Sequence, residues 1–358
     1  MLIYFFLYFL IYLTVFFCVS LVVGLIINFF LKSKGYVGEK SDHFDGIKFF
    51  TPGHSLHERI YEHGYGKFFW KWLLRKPRNH WVFEKNKFRT IPEKRVNSDR
   101  IFITFISHST VLIQTKGLNI ITDPVFSSKI GPLPFIKLHR YRDPGIKIEE
   151  LPKIDLVLLS HNHYDHLDLK SLRYISIRDN PKIFTPLGNS HYLKIHRIKG
   201  AEDMDWWDRK EINSEIKVVC VPSQHFSARA ISDKNKTLWS GFVLETPRGN
   251  IYFAGDTGYG DFIQRIKEKY DKFLIGLIPI GAYKPEWFMA PVHISPEEAI
   301  KVHKELSVET SVAIHFGTFK LADDGQNEAR NKINKLVSGN VTARVDFRVL
   351  ENGQTIMI

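Results

Sequence analysis

Two cysteines in a chain of 358 residues cannot staple a fold. Cys18 lies in an apolar run and Cys220 in an expected strand, which leaves neither a disulfide framework nor a CxxC metal clip. That usage fits a reducing compartment. Internal repeats and low-complexity tracts are also missing, which excludes a repeat array. No RNA-binding module is recognisable, and nucleic acid is not an expected partner although the net charge is +12. The most telling absence is local: residues 1–31 carry no charged side chain. A cleaved secretory signal of the usual form, with its basic start and small-residue cleavage site, is therefore not expected.

What fills that uncharged stretch is apolar, from Leu2 and Ile3 through Phe29, Phe30 and Leu31. It exceeds the roughly 20 residues a helix needs to span the hydrocarbon of a bilayer. An uncleaved transmembrane anchor over 1–31 is expected. Lys32, Lys34 and Lys40 follow it directly. Positive charge tends to stay on the cytoplasmic side, so a single-pass membrane protein with its catalytic domain facing the cytoplasm is expected. Residues 32–100 hold 16 Lys/Arg against 8 Asp/Glu, an excess beside the anchor that suits an anionic lipid surface. We read 32–98 as a basic membrane-proximal region and 99–358 as the catalytic domain. Within the former, Phe68–Lys76 mixes aromatic and basic residues in a way that fits either a membrane interface or a buried helix.

From Arg100 the pattern changes to short apolar runs separated by turn residues. Strands are expected at 101–106, 111–115, 119–122, 155–160, 182–185, 217–222, 238–245, 250–254, 273–280, 311–315 and 345–350. Helices are expected at 169–178, 262–270, 296–306 and 327–337. Ser295-Pro296 followed by Glu298 has the spacing of a capped helix start. Runs of strands with helices between them suit two packed sheets covered by helices outside.

The strongest signal is Ser160-His-Asn-His-Tyr-Asp-His-Leu-Asp168, with four potential ligands in six residues directly after an apolar strand. Core packing does not explain three histidines and an aspartate at that density. Imidazole and carboxylate suit zinc with a position left for water: His161 and His163 could take one ion, Asp165 and His166 another. Later strand ends add Gln224-His225, Gly255-Asp256-Thr257 and Ile314-His315-Phe316. Each is weak singly; in this order, after the cluster, they reinforce one another.

The run His161-Asn-His-Tyr-Asp-His166, with His225, Asp256 and His315 behind it, resembles the HxHxDH signature of metallo-β-lactamase-fold hydrolases over roughly residues 100–350. The resemblance implies an αββα sandwich and two Zn2+ per chain. It implies that His161, His163 and His225 hold one ion, that Asp165, His166 and His315 hold the other, and that Asp256 bridges. Further segments resemble the N-acylphosphatidylethanolamine-hydrolysing phospholipases D: Asp205-Trp-Trp207, Phe253–Tyr259, Ile278–Tyr283, Trp287-Phe-Met289 and Ile314–Phe319. Asp123, in Thr122–Ser128, resembles the buried acid that orients a ligand histidine. One departure is Ser107-His108, where the wider family often has Gly-His.

The resemblance implies phospholipase D-type hydrolysis of a membrane phospholipid, N-acylphosphatidylethanolamine, to N-acylethanolamine and phosphatidic acid. Asp165 and His293 are the catalytic candidates, and His293 and Tyr164 the substrate-binding ones. The competing readings are another hydrolase of the fold, a sugar-phosphate lactonase or a nuclease, and a membrane-tethered metal-binding protein without turnover. The complete ligand set argues against the last, and the anchor favours lipid over soluble sugar. The oligomeric state is not encoded in any feature found.

Overall fold

Alternation along the strands assigns each side chain to a layer. In β1 (Phe102–Ser107), Ile103 and Phe105 enter one apolar cluster while Ile106 enters another. The same split occurs in β2 (Thr110–Thr115), with Val111 and Ile113 against Leu112, and in β3 (Leu118–Thr122), with Ile120 against Ile121. A period of two buries both faces when a second layer covers each. The computed structural model describes residues 2–53, 79–133, 136–339 and 345–358. The Phe68–Lys76 segment lies outside them.

After helix α1 (Leu2–Leu31) and these three strands come a hairpin of β4 (Lys129–Leu133) and β5 (Ile136–His139), then β6 (Leu156–Leu158), α2 (Leu169–Asp179), β7 (Lys182–Pro186), α3 (Asn189–Ile195) and β8 (Ala201–Met204). The second half runs β9 (Arg209–Glu211), β10 (Lys217–Val221), β11 (Gly241–Thr246), β12 (Gly249–Phe253), α4 (Phe262–Lys269), β13 (Phe273–Pro279), α5 (Glu286–Met289), α6 (Pro296–Glu305), β14 (Val308–Ile314), α7 (Glu328–Gly339), β15 (Phe347–Arg348) and β16 (Gln354–Met357). One sheet has the order β16-β1-β2-β3-β6-β7-β8, the other β15-β14-β13-β12-β11-β10-β9. Each is an antiparallel meander continued by parallel strands. Parallel strands need crossovers, and helices on the outer faces supply all but the one from β3 to β6, which carries the β4–β5 hairpin. Leu172 and Ile175 of α2 pack with Val157 and Ile183, while Ala299 and Val302 of α6 join the central cluster. The result is the expected αββα sandwich.

Parallel connection has a second effect: β3 and β6 of one sheet and β12, β13 and β14 of the other all end at one edge. Loops at those ends carry the ligand motifs.

Local chemistry explains the boundaries. Asp168 caps α2 by accepting from Lys170 N, and Asn180 ends it in a left-handed conformation. Ser295 and Glu298 form the expected reciprocal cap on α6, with Ser295 N donating to Glu298 Oε2 at 2.8 Å. The run 238–245 is shorter than expected, because Leu238 N bonds Leu187 O and Ser240 N bonds Ser160 O in the other half of the sandwich. The hairpin β4–β5 and the terminal strand β16, which pairs antiparallel with β1, lacked a clear alternating signal.

α1 holds a candidate span, Tyr4–Leu31, of 28 residues, in which an 18-residue window has mean hydropathy 2.8 and is not buried. By length and composition it can cross a membrane. The chain after it packs on the sandwich: Phe44 and Phe49 are buried in the central core, and Tyr36 N donates to Lys236 O at 2.8 Å.

Candidate metal centre

The β6 strand ends at Leu158, and the following loop turns His161, His163, Asp165 and His166 toward one point. His225 follows β10, Asp256 follows β12 and His315 follows β14. Residues 123, 108 and 315 all sit at positive φ, the left-handed region that these side chains enter only when their surroundings hold them there. At His315 this ends β14 one residue before the expected boundary and swings the ring into the site.

Two groups of donor atoms form. In the first, His163 Nδ1 lies 2.8 Å from His161 Nε2 and 3.2 Å from His225 Nε2. In the second, Asp256 Oδ2 lies 3.1 Å from His166 Nε2 and 3.0 Å from His315 Nε2, and Asp165 Oδ2 lies 3.3 Å from His315 Nε2. Asp256 Oδ2 is also 3.8 Å from His225 Nε2, so this oxygen touches both groups.

Three of the outer nitrogens are committed elsewhere. His166 Nδ1 is 2.6 Å from Asp123 Oδ2, and His225 Nδ1 donates to Val292 O at 2.8 Å. His161 Nδ1 is 2.9 Å from Ser160 Oγ. Asp123 is itself held by Ser160, whose N donates to Oδ1 at 2.7 Å and whose hydroxyl donates to Oδ2 at 2.6 Å. With Nδ1 occupied, each of these rings aims Nε2 inward. His166 Nε2 and Asp256 Oδ1 are buried without a hydrogen-bond partner among the described residues. Converging imidazole nitrogens, an unmatched carboxylate oxygen and outer partners that orient the rings fit divalent metal.

Burial pushes His161 and His225 well below the ordinary imidazole range and His163 down to about 4, which keeps these rings neutral and ready to ligate. Burial also acts on His315, but Asp256 and Asp165 overcome it and raise the group to about 9. His166 is raised well above its usual range against the same burial, by Asp256, Asp165 and Asp123.

His293 joins the edge of the site. Its Nδ1 lies 4.0 Å from Asp256 Oδ2 and has no hydrogen-bond partner among the described residues, and its ring stacks on His315 at 5.2 Å. Tyr164 is not among the converging ligands. Its hydroxyl donates to Arg229 O at 2.7 Å, and the Arg229 guanidinium lies 3.7 Å from its ring.

Two residues were not singled out as site residues by sequence reasoning. His108, in the β1–β2 turn, places Nε2 3.1 Å from Asp165 Oδ2; the departure at Ser107-His108 was the available signal. Buried Arg229 donates from Nη1 to Asn162 O and Leu167 O, each at 3.0 Å, and so pins both ends of the ligand loop. A lone arginine in a loop carries no such signal.

With this fold and donor set, a profile of the Beta-lactamase superfamily domain matches residues 118–316, and the chain belongs to the metallo-β-lactamase superfamily as a metal-dependent hydrolase. It is similar to the N-acyl-phosphatidylethanolamine-hydrolyzing phospholipase D 1 of Caenorhabditis elegans, 36% identical over 278 residues, covering 72% of this chain and 76% of that protein. It is 37% identical over 248 residues to the mitochondrial N-acyl-phosphatidylethanolamine-hydrolyzing phospholipase D of Saccharomyces cerevisiae, covering 66% of this chain and 52% of the yeast protein. The fold is shared with a metallo hydrolase from the archaeon Ignicoccus hospitalis, at TM-score 0.54 and 22% identity over 72% of this chain and 98% of that one.

Proposed function

We propose that the chain is a membrane-anchored phosphodiesterase that hydrolyses N-acylphosphatidylethanolamine to N-acylethanolamine and phosphatidic acid. The observation that carries this reading is the 36% identity to a phospholipase D of that specificity over 72% of the chain. A long apolar helix ahead of the catalytic sandwich supports a bilayer substrate, and Lys32, Lys34 and Lys40 favour a cytoplasmic domain.

In this reading the centre would take two zinc ions. His161, His163 and His225 would hold one, Asp165, His166 and His315 the other, and Asp256 would serve both. When bound, such a pair activates water near neutral pH and neutralises charge developing on phosphate oxygens. Asp123 keeps the His166 ring turned inward. His293, neutral at rest because burial lowers it to about 4, binds the phosphate, and the incoming anion favours its charged form. It then supplies the proton that the departing N-acylethanolamine oxygen requires. The hydroxyl of Tyr164 is committed to Arg229, which leaves the ring edge as the part available to substrate.

Turnover in heavy-oxygen water tests the bond cleaved. Attack at phosphorus places the label in phosphatidic acid. Label appearing only in released fatty acid would refute the phosphodiesterase reading while leaving a metal-dependent hydrolase intact. Carbonate washing of membranes tests the anchor: the full-length protein is expected to stay in the pellet.

A further inference from the structure

The loop 226–237 runs from a ligand histidine to the end of the apolar helix and back. At its start, the Phe226 ring packs on His163 and His225, with centroids 4.4 and 4.8 Å away. The loop closes on itself where Asn235 N donates to Ser227 O at 2.8 Å. Its tip is the short turn Ile231–Asp233. There Asn28 of α1 makes two bonds to one residue: Asn28 Nδ2 donates to Ser232 Oγ at 2.7 Å, and Ser232 N donates to Asn28 Oδ1 at 3.1 Å. Buried Asp233 accepts from Ser33 N on one oxygen, and from Arg229 N and Ala230 N on the other. Arg229 in turn holds the carbonyls of Asn162 and Leu167.

The candidate span of 28 residues is about 42 Å long at 1.5 Å per residue. The hydrocarbon takes up about 30 Å of that. The last turns of α1, Asn28 among them, therefore lie at the headgroup level, where an amide side chain is tolerated. Ser232 is bonded to Asn28, so the loop tip lies there too. Ile231 is 95% exposed, an unusual setting for an isoleucine at the apex of a tightly bonded loop. Val37, 93% exposed, follows Tyr36, which bonds Lys236. Exposed Ile47 is two residues from Phe49, which bonds Asn235. Lys32, Lys34, Lys48, Lys234 and Lys236 lie in the same segments. Exposed apolar tips among lysines match the acyl–headgroup boundary of an anionic bilayer.

We infer that the 226–237 loop is the bilayer-seated wall of the metal centre, with Ile231 inserted at the lipid interface. Phe226 and Arg229 on the same loop then fix the ligand residues at a set height above the membrane. The inference rests on the anchoring reading above and is independent of the reaction catalysed.

The test uses the full-length chain carrying Cys18→Ser, since Cys220 is buried. Ile231→Cys is labelled with an environment-sensitive dye, and Met357→Cys is the control. Met357 is exposed on β16, the strand at the edge of its sheet. Both proteins are reconstituted into phosphatidylcholine–phosphatidylglycerol vesicles. Nitroxide lipids are expected to quench the dye at Ile231 several-fold more than at Met357, and aqueous iodide to show the reverse order. Equal iodide access at both positions, in protein that carbonate does not release, would overturn the loop proposal and leave the anchor standing. Release by carbonate would remove the anchor and the proposal together.

Discussion

His108 Nε2 and Asp165 Oδ2 lie 3.1 Å apart, a contact made between the β1–β2 turn and the ligand loop. The His108 carbonyl also accepts from His315 N at 2.9 Å, so one residue steadies two members of the same donor group. In the proposed two-ion centre, His108→Ala is expected to weaken the ion assigned to Asp165, His166 and His315 by about 10- to 100-fold, the usual cost of losing an orienting partner. The other ion should be little changed. Chelator competition that follows the two ions separately checks this. His108→Gln, which can still donate to Asp165, should recover part of the loss. Equal loss of both ions would contradict the assignment.

Asp256 Oδ2 is the atom shared by the two donor groups. Asp256→Ala should lower the metal content of carefully purified protein and abolish activity, because one change reaches both positions. Elemental analysis with an activity assay decides it. An active variant with unchanged metal content would sink the assignment.

The raised His315 and His166 make metal uptake proton-linked. A group held at about 9 is protonated at pH 7.5 in the metal-free protein, and an ion must displace that proton to bind. Loading at pH 7.5 should therefore release protons, and apparent affinity should rise as pH increases toward about 9. His163, lowered to about 4, is already neutral and releases none. Calorimetry in buffers of differing ionisation enthalpy measures the count; no release at pH 7.5 would contradict the electrostatics of the site.

Phe49 is buried in the central core although it lies in the basic segment between the apolar helix and the sandwich. Phe49→Ala should cost roughly 3–5 kcal/mol, as large-to-small changes in packed cores do. Thermal or denaturant unfolding of the detergent-solubilised protein reads the loss. An unchanged midpoint would mean that the segment merely lies on the surface.

Much of the site was legible because its information is local. Ligand types, their spacing in residues 161–166 and their places at strand ends all lie within short windows, as does the cap at Ser295. The apolar helix is legible for the same reason, since composition alone decides whether a segment suits hydrocarbon. His108 and Asp165 are 57 residues apart, and nothing in either neighbourhood announces the other. Their meeting depends on β1, β3 and β6 sharing a sheet. Arg229 and Phe49 are further cases. A buried guanidinium gains its role from carbonyls that the fold brings to it, and a phenylalanine in a charged segment becomes core only when two sheets close over it. Residue types and local pattern alone decided the chemistry of the candidate ligands, the long apolar helix and the layered class of fold. Only the folded chain decided which outer residues hold those side chains, and that the loop after His225 touches both the candidate metal centre and the apolar helix, because hydrogen bonds between distant segments exist only after the chain has folded.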